Sequence, residues 1–321
     1  MSANWMRRTL WPLALAALAL LGGCGASSIE SALKPTRILS VGDTLSDLGQ
    51  TGTRFTVNDG SVNIWTQDLA GRYGLTLTTA VGGGKSYAQA HARVSSAVDA
   101  VGGSAPSIKA QIDTLLASTT FTATDMVLVT GGISDIIAEV AAGSADMTTR
   151  VRQAGTDLGT QVRRLVTGGA KYVVVVGPYN LGQSRWSYDL GQRQLLKDLS
   201  LAFTEALLIS VQDLSENVLY VDAALYFNLV TASPGSYGFV DAGYTPDFTT
   251  SVTPAIMCTS VDARAGIGVG TGKVSSGLCT TSTIASGMTY DQHIFADSIF
   301  FTPQANRKFG EYAYEKITNR W

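Results

Sequence analysis

Apolar and polar positions follow two periods along the chain, and their alternation predicts the fold class. Short, nearly continuous apolar runs over 37–41, 75–78, 126–130, 172–176 and 218–221 read as buried strands. Between them, apolar residues recur at helical spacing. Trp65, Leu69 and Tyr73 mark a helix over 63–73, and Ile108, Ile112 and Leu115 mark one over 107–116. Further helices are expected over 148–165 and 192–214. Thr302 and Pro303 supply a cap residue and a first-turn proline for a terminal helix. Strands alternating with helices argue for an α/β fold, with a parallel sheet covered on both faces.

Residues 235–290 break the alternation. They are rich in Gly, Ser, Thr and small apolar residues, and they hold Cys258 and Cys279. Excursions of this length are uncommon unless functional or disordered. The expectation is a stapled flap near the carboxyl ends of the strands; a surface excursion without a role is the alternative.

The amino terminus changes how those cysteines are read. Arg7 and Arg8 precede an apolar stretch over 10–21, too short to span a ~30 Å hydrocarbon core comfortably. Leu21-Gly22-Gly23-Cys24 follows and looks like a bacterial lipobox, in which Cys24 is acylated. Residues 1–23 are then a lipoprotein signal peptide, 24–36 a tether and 37–321 one domain. An ordinary signal peptide with an incidental cysteine is the alternative. Gly25 follows, with no aspartate to retain the protein at the inner membrane, so an outer-membrane lipid anchor in the bacterial cell envelope is expected. That compartment is oxidising. A Cys258–Cys279 disulfide would close a loop worth about 3 kcal/mol.

Other chemistry is limited by what the chain lacks. Neither of these cysteines has a Cys or His partner at ligand spacing, so no metal site is expected. A net charge of -2 without a basic stripe argues against nucleic acid. Gly84-Lys85-Ser86 hints at a phosphate-binding loop, but Thr79 stands where its opening glycine belongs. No cofactor is expected.

Gly42-Asp43-Thr44-Leu45-Ser46-Asp47 directly follows the first strand and resembles the Gly-Asp-Ser-Leu block of the SGNH (GDSL-type) ester hydrolases. Three further blocks follow in the family's order, across nearly the whole mature chain. The resemblance implies a flavodoxin-like three-layer α/β/α sandwich with a central parallel sheet, and esterase or lipase chemistry at the carboxyl edge of that sheet. Thr44 stands where the family's serine attacks the acyl carbon. The second block, Gly82 to Val94, has Ala90-His91 where related sequences carry paired glycines beside the oxyanion. The third, Gly131-Gly132-Ile133-Ser134-Asp135, has Ser134 in place of an oxyanion-binding asparagine. The fourth keeps Asp297, the orienting carboxylate, and carries Phe300 in place of the catalytic histidine.

Phenylalanine accepts no proton, and removing the histidine of a serine hydrolase costs on the order of 10⁶ in turnover. A threonine hydroxyl attacks acyl groups only beside an activating base, so Thr44 is expected to keep a backbone hydrogen bond of the turn. His91 and His293 are the chain's two histidines and the candidates for a relocated base. The expectation is an impaired or inactive hydrolase scaffold that binds a ligand, such as a small acyl ester, lipid or glycan, or a partner. The alternative is a rearranged esterase using Thr44 with His91 or His293. A structural envelope protein whose cleft is filled by Phe300 and His91 is the third reading.

Overall fold

The computed structural model describes residues 31–62, 64–249, 252–264 and 266–321. The signal segment, Cys24 and Asn63 lie outside them. Four apolar runs form one parallel sheet, β1 (Arg37–Val41), β2 (Asp125–Thr130), β3 (Tyr172–Val176) and β4 (Val218–Tyr220), in that spatial order. Leu39 pairs with Val127, Val127 with Val173 and Val173 with Val218. β2 is buried along its whole length, which is why its sequence is continuously apolar after Asp125.

Among the described residues, eight helices accompany the sheet: α1 (Trp65–Arg72), α2 (Ile108–Ser118), α3 (Ile133–Ala142), α4 (Met147–Thr167), α5 (Arg185–Leu190), α6 (Arg193–Val211), α7 (Ala223–Ala232) and α8 (Pro303–Arg320). α2, α3 and α6 pack on α4, whereas α1 and α7 pack on α8. The result is a three-layer α/β/α sandwich. Aromatic side chains fill the α1–α7–α8 side, with Trp65 5.3 Å from Phe309 and Phe227 stacked on Phe301 at 3.9 Å.

The run at 75–78 is not a strand. The Leu75 N–H donates to the Ala70 carbonyl at 2.9 Å, so its first residue closes the end of α1 instead of entering the sheet. Residues 85–87 take the outer edge of β1. The Ser40 N–H donates to the Lys85 carbonyl (3.0 Å), and the Tyr87 N–H donates to the Ser40 carbonyl (2.7 Å). The chain therefore moves outward from β1, then crosses back past it to β2. This reversal makes a topological switch point, the place where open α/β sheets present a crevice at the carboxyl ends of their strands.

Two glycines let the turns at that crevice close. A Cβ on Gly42 would lie 2.0 Å from the Thr130 hydroxyl oxygen. Gly132 adopts φ +112°, and a Cβ there would also meet the Phe203 ring at 2.9 Å.

Residues 31–36, expected as part of a tether, dock on the domain. Leu33 and Pro35 are buried, and the Leu33 N–H donates to the Trp321 carbonyl at 3.2 Å. An apolar leucine there gains more from the core than from water. The excursion at 235–290 also contributes to the interior through Phe239, Tyr244 and Met257. Cys258 and Cys279 form a disulfide, which encloses the antiparallel pair β5 (Val261–Asp262) and β6 (Lys273–Val274). Among the described residues, no helix is long and apolar enough to cross a membrane.

Candidate functional site

The turn after β1 is a single 3₁₀ turn, Thr44–Ser46, capped by the Asp43 carboxylate, which accepts from the Leu45 N–H. Thr44 is only 1% exposed. Its hydroxyl oxygen accepts a hydrogen bond from the His91 backbone N–H at 2.8 Å. Ser46 points into the core, where its oxygen accepts from the Trp65 indole (3.1 Å) and the Thr130 hydroxyl (3.0 Å). Ser46 is therefore a packing residue.

The second block wraps the first through its backbone. The Ala90 N–H donates to Asp47 Oδ2 at 2.9 Å, and the Gln89 N–H donates to the Gly42 carbonyl at 3.1 Å. His91 itself adopts φ +66°. A left-handed backbone costs an L residue about 1–2 kcal/mol and glycine nearly nothing. The His91 ring meets Phe55 edge-on at 5.1 Å, and Phe55 in turn meets Phe300 at 5.7 Å. Burial pushes the His91 imidazole below its usual range, against the opposing pull of the Asp99 and Asp262 carboxylates.

The third block supports the second. Asp135, nearly buried at the start of α3, accepts from the Val94 N–H at 3.1 Å and lies 3.4 Å from Arg93 Nε. Arg93 continues to Glu139 at 2.6 Å. Burial pushes the Asp135 carboxyl up to about 7 against the Arg93 charge. Asp43 is pushed up to about 6 by burial, opposed by the N–H groups of Leu45, Ser134 and Ile133. The Ser134 hydroxyl is fully buried and has no hydrogen-bond partner among the described residues, so it is not presented to a ligand at the surface.

The fourth block is turned to another task. Asp297 is fully buried, and its Oδ1 accepts from the Ile299 and Phe300 N–H groups, both at 2.8 Å. Its Oδ2 accepts from the Ser276 N–H at 2.9 Å, inside the disulfide loop. Burial raises this carboxyl, and those N–H groups oppose the rise. Phe300 is 1% exposed and packs as a core residue.

The geometry brings Thr44, Ala90 and His91 into direct contact and links Phe300 to them through Phe55. It sets His293 apart, with Nδ1 3.0 Å from Asp241. Among the described residues, neither imidazole is hydrogen-bonded to the Thr44 hydroxyl.

Above His91 opens a cleft of about 420 Å³. Phe55 and His91 give it aromatic lining, and Asp262, Arg264, Ser275 and Leu278 of the excursion line it as well. The Arg264 side chain is 91% exposed and its Nε lies 3.8 Å from Asp262. Sequence reasoning missed Phe55, Asp262 and Arg264, which belong to none of the four blocks. The one available signal was the position of Asp262 and Arg264 between the two cysteines.

No family model matches the chain, and no curated protein matches it either. A solved crystal structure is similar to it over 89% of this chain and 98% of its own, with 16% identity and a TM-score of 0.45.

Proposed function

We propose that this chain is a lipid-anchored protein of the bacterial cell envelope, at the outer membrane, on a GDSL-like scaffold. It binds a small acyl-bearing, lipid or glycan ligand in the cleft beside His91 and forms no covalent acyl intermediate. The observation that carries this reading is the 2.8 Å hydrogen bond from the His91 N–H to the Thr44 hydroxyl. In an active hydrolase of this kind, the N–H holds the oxyanion and the hydroxyl attacks. Here each occupies the other. Phe300 at the histidine position supplies no base, and the Asp297 oxygens are taken up by three backbone N–H groups.

The cleft retains what binding needs. Phe55 and His91 offer ring faces and edges to an apolar or sugar-ring surface, and Asp262 and Arg264 offer an acceptor and donors. The anchor rests on Leu21-Gly22-Gly23-Cys24.

Hydrolysis of p-nitrophenyl acetate by the form starting at Gly25, paired with Thr44→Ala, tests the chemistry. Equal, near-background rates are expected. Rates well above background that vanish in the variant would establish Thr44 as a nucleophile and overturn the reading. Metabolic labelling with a fatty acid, lost in Cys24→Ser, is the expected result for the anchor; unlabelled wild-type protein would remove it.

A further inference from the structure

A second cavity, of about 210 Å³, lies between the excursion and the segment leading into the fourth block. It shares no lining residue with the cleft at His91. Val240, Tyr244, Val252, Pro254 and Phe295 give it apolar walls, and His293 is the imidazole among them. His293 is held firmly. Its Nδ1 lies 3.0 Å from Asp241 Oδ1, the Ile294 N–H donates to Asp241 Oδ2 at 3.0 Å, and the Thr302 hydroxyl donates to the His293 carbonyl at 2.6 Å. The side chains of His293 and Asp241 are 12% and 8% exposed.

A carboxylate against Nδ1 selects the tautomer that carries its proton there, leaving a lone pair on Nε2. Among the described residues, nothing bonds Nε2. With the ring in that tautomer, the Asp241 carboxylate behind it disfavours an anion in the cavity. Each Asp241 oxygen already accepts a hydrogen bond, and among the described residues no third His, Cys, Asp or Glu joins the pair to hold a metal ion, so His293 Nε2 is the acceptor offered to a ligand. We infer that this cavity binds a small neutral alcohol of phenol size, whose hydroxyl donates to His293 Nε2 while its ring packs on the apolar walls. An apolar cavity of about 150 Å³ already accepts benzene, so the volume admits one ring. A site built to accept a hydroxyl discriminates against the analogue that lacks it.

Titration of the full chain with phenol, followed through the ¹⁵N resonances of His293, tests this. A saturable shift at Nε2 is expected, with binding of benzene and of benzoate at least about tenfold weaker. Asp241→Asn keeps an acceptor for the Ile294 N–H but turns an amide toward Nδ1. It should move the ring proton to Nε2 and weaken phenol about tenfold. Ala255→Leu, which fills the cavity and leaves the His293–Asp241 pair untouched, should abolish the shift. No saturable shift with phenol, equal affinity for benzene, or tighter binding of benzoate would each overturn the assignment.

Discussion

The His91 backbone N–H donates to the Thr44 hydroxyl oxygen at 2.8 Å, joining the loop after residue 87 to the turn that follows β1. This bond fixes the left-handed backbone of His91 and directs its ring at Phe55.

Thr44→Ala should therefore behave as a stability variant. Loss of the acceptor leaves the His91 N–H unpaired, at a cost of about 1–3 kcal/mol in urea unfolding. Ester hydrolysis should not change. A stable variant with lost turnover would reverse the assignment.

Introducing the serine and histidine of the GDSL-type blocks should not create ester hydrolysis. In Thr44→Ser with Phe300→His, the new imidazole replaces a buried ring and finds Asp297 already accepting three N–H groups. The double variant should be destabilised by about 2–4 kcal/mol. Its p-nitrophenyl acetate turnover should stay within about tenfold of Thr44→Ala, and a larger gain would mean that Asp297 remains free to orient a base.

Asp297 acts as a clasp for the disulfide loop. Asp297→Asn keeps an acceptor for Ile299 and Phe300 but sets an amide N–H against the Ser276 N–H. Hydrogen exchange at Ser276 should accelerate at least about tenfold, equivalent to 1.4 kcal/mol or more of local stability. Unchanged exchange there would show that the clasp contributes nothing.

Removing the staple should loosen the same loop. Cys258→Ser with Cys279→Ser releases a loop with a sequence separation of 21 residues. The cost should be about 3 kcal/mol, lowering Tm by about 5–10 °C. Calorimetry checks the first value, and protease sensitivity between positions 258 and 279 checks where the loss falls.

Asp43 should give stability a definite pH slope. Burial pushes its carboxyl up to about 6 in the folded chain from an ordinary 3.8, so the folded state holds the proton more tightly. The contribution is complete below pH ~4 and is lost as pH rises through 6, a change on the order of 3 kcal/mol. Asp43→Asn should remove this component. The variant should gain stability relative to wild type between pH 4 and 7, measured by urea midpoints. A constant difference across that range would place the folded-state ionisation of Asp43 near its ordinary value.

The layered α/β architecture and the Cys258–Cys279 pairing were readable from residue order alone. Strands buried on both faces must be continuously apolar, so β2 and β3 were legible without any partner in view. The disulfide was legible because Cys258 and Cys279 are the two cysteines that follow residue 24. Features that depend on contacts between distant segments emerged with the folded chain. The edge beside β1 went to residues 85–87 because their backbone groups reach Ser40, whereas 75–78 matched a strand in composition but was used to close α1. Asp241 and His293 are 52 residues apart, with no periodicity between them, so nothing local announced their pairing. Thr44 and His91 meet through a backbone N–H, a group that every residue but proline carries, so residue identity could not encode their bond.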